Sequence, residues 1–112
     1  MTSRDLAILA AEAINEKKGT DIHILHIEEI SPITDYFILA NGSSRVQTQA
    51  LAENVEKRVE EAGGKLARRE GYPEGRWILL DFTSIIVHIF QKDERELYSL
   101  ERLWGDAPQI QI

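Results

Sequence analysis

Apolar residues at Leu6, Leu9, Ala10, Ala13 and Ile14 recur at the i, i+3, i+4, i+7, i+8 spacing of a helix that buries one face. Thr2 or Ser3 can cap its start, Lys17 and Lys18 complement the dipole at its end, and Gly19 is placed to take the left-handed conformation just past it. The segment from Ile22 to Ile27 is apolar at 22, 24, 25 and 27 without clean alternation. That pattern predicts a strand covered on both faces, and so helices flanking a sheet. Ser31-Pro32 breaks the chain, and a strand resumes from Tyr36 to Ala40. Asn41-Gly42-Ser43-Ser44 then turns straight into a second helix, capped by Ser44 with Gln47. Val46, Ala50, Leu51, Val55, Val59 and Ala62 mark its buried stripe, and Gly63-Gly64 ends it.

Lys65 to Glu70 is polar, suited at best to an edge strand, and Gly71-Tyr72-Pro73-Glu74-Gly75 forms a loop. Two dense apolar runs, Trp77 to Phe82 and Ile85 to Phe90, are separated by Thr83-Ser84 and predict an antiparallel hairpin inside a mixed sheet. Asp93 with Glu96 makes a capping signature for a last helix carrying Leu97, Leu100, Leu103 and Trp104, which ends at Gly105 with Pro108 beyond it. The fold class is therefore α/β, a mixed sheet of about five strands flanked by helices. No repeat or linker-like tract interrupts the 112 residues, so one domain is expected.

Composition narrows the function classes. The longest apolar run, Leu6 to Ala11, is far short of the ~20 residues that cross a bilayer, and the N-terminus has no signal-peptide pattern, so a membrane or exported protein is not expected. With no cysteine there are no disulfides or thiolate metal sites, in keeping with a cytoplasmic protein. A net charge of -6 repels a phosphate backbone, which disfavours free nucleic acid as a partner.

Candidate chemistry is sparse. His23 and His26 stand three apart on a strand and point to opposite faces, which argues against a shared metal; with His88 they are better read as strand residues. Gly42-Ser43-Ser44 at a strand-to-helix turn suits the phosphate-binding turn of a nucleotidyltransferase, as does the order of elements. Residues 45 to 55, however, contain only Glu53 where that chemistry needs two or three strand-borne carboxylates for Mg²⁺. No catalytic residues and no cofactor are assigned. The remaining signal is a C-terminal cluster of aromatic and acidic residues, Tyr72, Trp77, Asp81, Tyr98, Glu101 and Trp104. On a strand, Trp77, Leu79 and Asp81 share one face. An aspartate in line with Trp77 is unusual for a sealed core, which favours a partner-binding face over a second core face covered by the last helix.

Three segments together resemble the ribosomal silencing factor family, also called RsfS or Iojap. They are Ser31-Pro32-Ile33-Thr34-Asp35-Tyr36-Phe37-Ile38, then Asn41-Gly42-Ser43-Ser44-Arg45-Val46-Gln47, then Trp77-Ile78-Leu79-Leu80-Asp81-Phe82 through Val87-His88-Ile89-Phe90 to Tyr98-Ser99-Leu100-Glu101-Arg102-Leu103-Trp104. The resemblance implies a nucleotidyltransferase-like fold without catalytic carboxylates. It also implies a non-enzymatic factor that binds the large ribosomal subunit through ribosomal protein uL-fourteen, blocks joining of the small subunit and represses translation under nutrient limitation. Carried over by position, the partner-binding residues would be Trp77, Leu79, Asp81, Tyr98, Glu101 and Trp104. Two rivals stand beside this reading: a nucleotide binder using the Gly42 to Arg45 turn, and a dimerising adaptor whose homodimer would hide the same strand.

Overall fold

The computed structural model describes residues 1–98 and 108–110. In chain order the elements are α1 (Ser3–Glu16), β1 (Thr20–His26), β2 (Tyr36–Gly42), α2 (Arg45–Glu61), β3 (Arg68–Glu70), β4 (Trp77–Asp81), β5 (Ile85–Gln91), α3 (Lys92–Tyr98) and β6 (Gln109–Ile110). The six strands form one sheet in the order β3-β4-β5-β2-β1-β6. β2 and β5 run parallel at its centre and every other neighbouring pair is antiparallel.

Strand pleating divides the sheet into two faces. On the first, α1 and α2 bury Ala7, Ala10, Ile14, Leu51, Val55 and Val59 against Ile24, Ile38, Ala40, Ile78, Leu80, Val87 and Ile89. The second face carries Leu25, Ile27, Phe37, Leu39, Ile86 and Phe90, with Trp77 and Leu79 packed against them. α3 lies against β5 and β2, where Arg95, 4% exposed, donates from Nη1 to Asn41 Oδ1 at 3.0 Å and to the carbonyl of Asp21 at 2.5 Å.

Local chemistry explains the helix starts. Thr2 Oγ1 accepts from the Asp5 amide at 3.1 Å, and Asp5 Oδ2 accepts from the Thr2 amide at 3.1 Å, a reciprocal capping box. Ser44 Oγ caps α2 by accepting from the Gln47 amide at 3.1 Å.

Several expectations are corrected. It is Lys18 (φ 69), not Gly19, that takes the left-handed conformation after α1; Gly19 is needed because a Cβ there would lie 2.3 Å from Ile14 Cγ2. Val46 is 73% exposed, and Thr48 and Ala52 are buried in the α2 stripe instead. Thr48 is drawn inward because its hydroxyl donates to the carbonyl of Gly75 at 2.7 Å. α3 starts at Lys92, directly after β5, so Asp93 sits in its first turn and does not precede it as a cap. The part of the predicted helix beyond Tyr98 lies outside the described residues. A sixth strand replaces the expected end at Pro108: Ile24 pairs with Ile110 and Leu25 with Gln109, while the carbonyl of Pro108 accepts from the His26 amide at 2.8 Å. Proline lacks a donor but keeps its acceptor, so it can open this edge pairing.

Candidate functional site: the aromatic face of the sheet

The register across the second face builds the site row by row. Asn41, Phe90 and Trp77 stand side by side on β2, β5 and β4. Leu39, His88 and Leu79 form the next row, and Phe37, Ile86 and Asp81 the third. Trp77, Leu79 and Asp81 therefore do share one face, as period-two reasoning requires. All three are half-buried, whereas their β5 neighbours Ile86, His88 and Phe90 are buried. They form the margin of an apolar layer.

Trp77 is held from two sides. Its ring stacks on Phe90 with centroids 5.1 Å apart and planes at 28°, and its Nε1–H donates to His88 Nδ1 at 3.0 Å. The loop before β4 sets its approach. Gly75 is fixed by Thr48, and its carbonyl also accepts from Gln91 Nε2 at 3.1 Å; the carbonyl of Tyr72 accepts from Gln49 Nε2 at 2.8 Å. Arg69 pairs with Glu56 at 3.0 Å and lies over the Tyr72 ring at 4.5 Å, tying the β3 edge to α2. Gly71 (φ 77) has no room for a side chain, since a Cβ would sit 2.0 Å from the carbonyl oxygen of Trp77. Gly71→Ala is expected to cost about 1–3 kcal/mol, read as a lower midpoint in chemical denaturation.

Asp81 has a local task. Its Oδ1 accepts from the Thr83 amide at 2.8 Å, and Thr83 (φ 74) takes the tight conformation of the β4–β5 turn. The opposing residue on β3 is Arg68, whose Nε pairs with Glu70 at 3.3 Å. Tyr98 closes α3, and Glu101 and Trp104 lie outside the described residues.

His88, expected to be a strand residue with a satisfied ring nitrogen, lies on β5 and has that bond at Nδ1 but none at Nε2 among the described residues. A neutral imidazole donates from one nitrogen and accepts at the other. Because the indole can only donate, Nδ1 is the acceptor and the proton resides on Nε2, which is buried with no hydrogen-bond partner among the described residues. An orphaned donor of this kind costs about 1–3 kcal/mol. Phe37 meets the His88 ring edge-on at 4.9 Å, and Phe90 lies nearly parallel to it at 6.2 Å. Burial among these rings lowers the His88 pKa from its ordinary 6.5 to about 4. The folded imidazole therefore stays neutral where the unfolded one gains a proton. Stability contributed in this way is complete above about 6.5 and is lost as pH falls toward 4. Denaturant melts across that window should show a His88 contribution of about 1.4 kcal/mol per pH unit, which His88→Leu removes.

The Gly42 to Arg45 turn is occupied by the chain itself. Ser43 N donates to Gln47 Oε1 at 2.5 Å, and Gln47 Nε2 donates to the carbonyls of Lys17 at 3.3 Å and Lys18 at 3.1 Å. A Cβ at Gly42 would stand 2.8 Å from Thr48 Cγ2, so this glycine serves close packing of α2 on β2. His23 is held by Asp21 at 3.0 Å and Gln109 at 2.7 Å, and His26 stacks on Tyr36 at 4.6 Å. Among the described residues no group of three or more His, Asp or Glu is placed to hold a metal ion, and no helix is long and apolar enough to cross a membrane.

These features define a small mixed-sheet α/β protein with one face closed by two helices and the other lined by aromatic rings. A family model described as "Ribosomal silencing factor during starvation" matches residues 1–112. Ribosomal silencing factor RsfS of Halalkalibacterium halodurans is 41% identical over 112 residues, covering 100% of this chain and 96% of that protein. RsfS of Bacillus subtilis is 42% identical over 108 residues, 96% of this chain and 92% of its own. A crystal structure of a protein from Chromobacterium violaceum superposes with a TM-score of 0.91 at 34% identity, covering 94% of this chain and 88% of that one. The chain belongs to the ribosomal silencing factor family.

Proposed function

We propose that this chain, acting as one domain in the cytoplasm, binds the large ribosomal subunit through ribosomal protein uL-fourteen. It thereby sterically blocks association with the small subunit, repressing translation under nutrient limitation. Binding is the whole mechanism, with no enzymatic step and no cofactor. The observation that carries the reading, beside family membership, is the half-buried row of Trp77, Leu79 and Asp81 along the margin of the aromatic face.

In this reading Trp77 and Leu79 supply the desolvated centre of the contact, because large rigid apolar groups at an interface centre carry most of its energy. Asp81 and Glu101 pair with basic residues of the partner and fix register, and Tyr98 and Trp104 are the further contact residues carried over by position. A net charge of -6 suits a basic protein surface better than exposed rRNA. A homodimer through the same margin would compete with the ribosome.

The test is co-sedimentation of the purified chain with isolated large subunits, followed by addition of small subunits and separation on a gradient. The chain is expected to migrate with the large subunit and to lower the yield of joined ribosomes. A chain that stays at the top of the gradient while another large-subunit-binding factor migrates normally would sink the reading. Thermal stabilisation by ATP and Mg²⁺ would then direct attention to the Gly42 to Arg45 turn.

A further inference from the structure

We infer that His88 is a positioning residue for docking: by accepting the indole N–H of Trp77 at Nδ1, it fixes the ring in the orientation that the partner meets. The inference rests on the reading of the Trp77 margin as the docking surface. Trp77 pairs in register with Phe90, while His88 pairs with Leu79 one row further on, so the indole leans diagonally across the sheet to reach the imidazole. Stacking on Phe90 sets the plane of the indole but does not choose which edge faces inward, because dispersion between rings has little preference within the plane. The acceptor at His88 takes the edge that bears Nε1 and turns it inward. A large side chain held in its bound orientation beforehand loses less freedom on association, which raises affinity without adding a contact.

A second observation separates this role from ordinary core packing. His88 Nε2–H has given up water and gained no partner among the described residues, a desolvation cost that a leucine of similar size would not carry. Stability alone does not account for histidine here. The bond to Trp77 is what the imidazole supplies and an apolar residue cannot.

The experiment compares the full chain with His88→Leu, His88→Asn and His88→Gln. Asparagine places Oδ1 where Nδ1 stands and so keeps the acceptor, with its amide Nδ2 at the place of Cδ2; glutamine carries its amide one bond further out, near the place of Nε2, and loses the acceptor at Nδ1. The first readout is the indole ¹⁵N–¹H resonance of Trp77, assigned by its disappearance in Trp77→Phe. Slow solvent exchange of that proton is expected in the wild type and the asparagine variant, and faster exchange in the leucine and glutamine variants. The second readout is affinity for isolated large subunits. His88→Leu and His88→Gln are expected to raise Kd by about three- to tenfold, with the thermal midpoint of the leucine variant at or above that of the wild type, and His88→Asn is expected to bind within about twofold of the wild type. A folded leucine or glutamine variant that binds like the wild type overturns the inference alone. So does an asparagine variant that keeps the slow indole proton but binds as weakly as leucine. A wild-type chain that does not bind the subunits at all overturns the functional reading and this inference together.

Discussion

Trp77→Ala is expected to weaken binding to isolated large subunits by about 2–4 kcal/mol, roughly 30- to 1,000-fold in Kd, while leaving a folded protein. The magnitude follows from the position of the ring. It is half-buried at the margin of the aromatic face, stacked on Phe90 and hydrogen-bonded to His88, so it presents a rigid apolar edge without having to be ordered first. Because the ring is only partly enclosed, truncation leaves an indentation that water can fill, and the folding cost stays below that of a sealed cavity. Binding measured by equilibrium sedimentation, together with a circular-dichroism melt, separates the two effects. Loss of binding with an intact melt supports the docking reading, and unchanged binding removes Trp77 from the contact.

Phe90→Ala should show the opposite balance, with stability reduced by about 3–5 kcal/mol and the thermal midpoint lowered by roughly 10–20 °C. Phe90 is fully buried, lies on central strand β5, and faces Trp77 at 5.1 Å and His88 at 6.2 Å. Removing it opens a cavity lined by ring atoms that the sheet cannot close, since β5 is held on both sides by β2 and β4. Denaturant unfolding monitored by circular dichroism is the check. A loss under about 1 kcal/mol would mean that the second face is loosely packed and can collapse around the gap.

The hydrophobic pattern predicts much of this architecture because local chemistry and tertiary packing agree along most of the chain. Ser44 caps α2 as expected, the polar segment near Arg68 is an edge strand, and the two dense apolar runs form an antiparallel pair beside a parallel one. The differences arise where a distant contact decides. Thr48 is buried instead of Val46 because the Gly75 carbonyl, 27 residues further on, takes its hydroxyl. β6 exists through pairing with an edge of β1 far away in sequence, which a two-residue segment cannot signal on its own. In the candidate site, the shared face of Trp77, Leu79 and Asp81 follows from strand periodicity. The bond to His88 does not, because it joins neighbouring rows of two strands. The alternation of β5, which puts His88 on the same face as Phe90, was the available signal.

The parallel pairing of β2 with β5 also governs when this protein can fold. Tyr36 must find Ile85, about fifty residues later in the chain, and until it does the two middle strands of the sheet lack one neighbour. Closing such a long loop is an entropic cost that local hairpins cannot offset, so sheet formation is slow relative to helix formation in α1 and α2. During synthesis the nascent chain must therefore wait for β5 to emerge before its two central strands can meet.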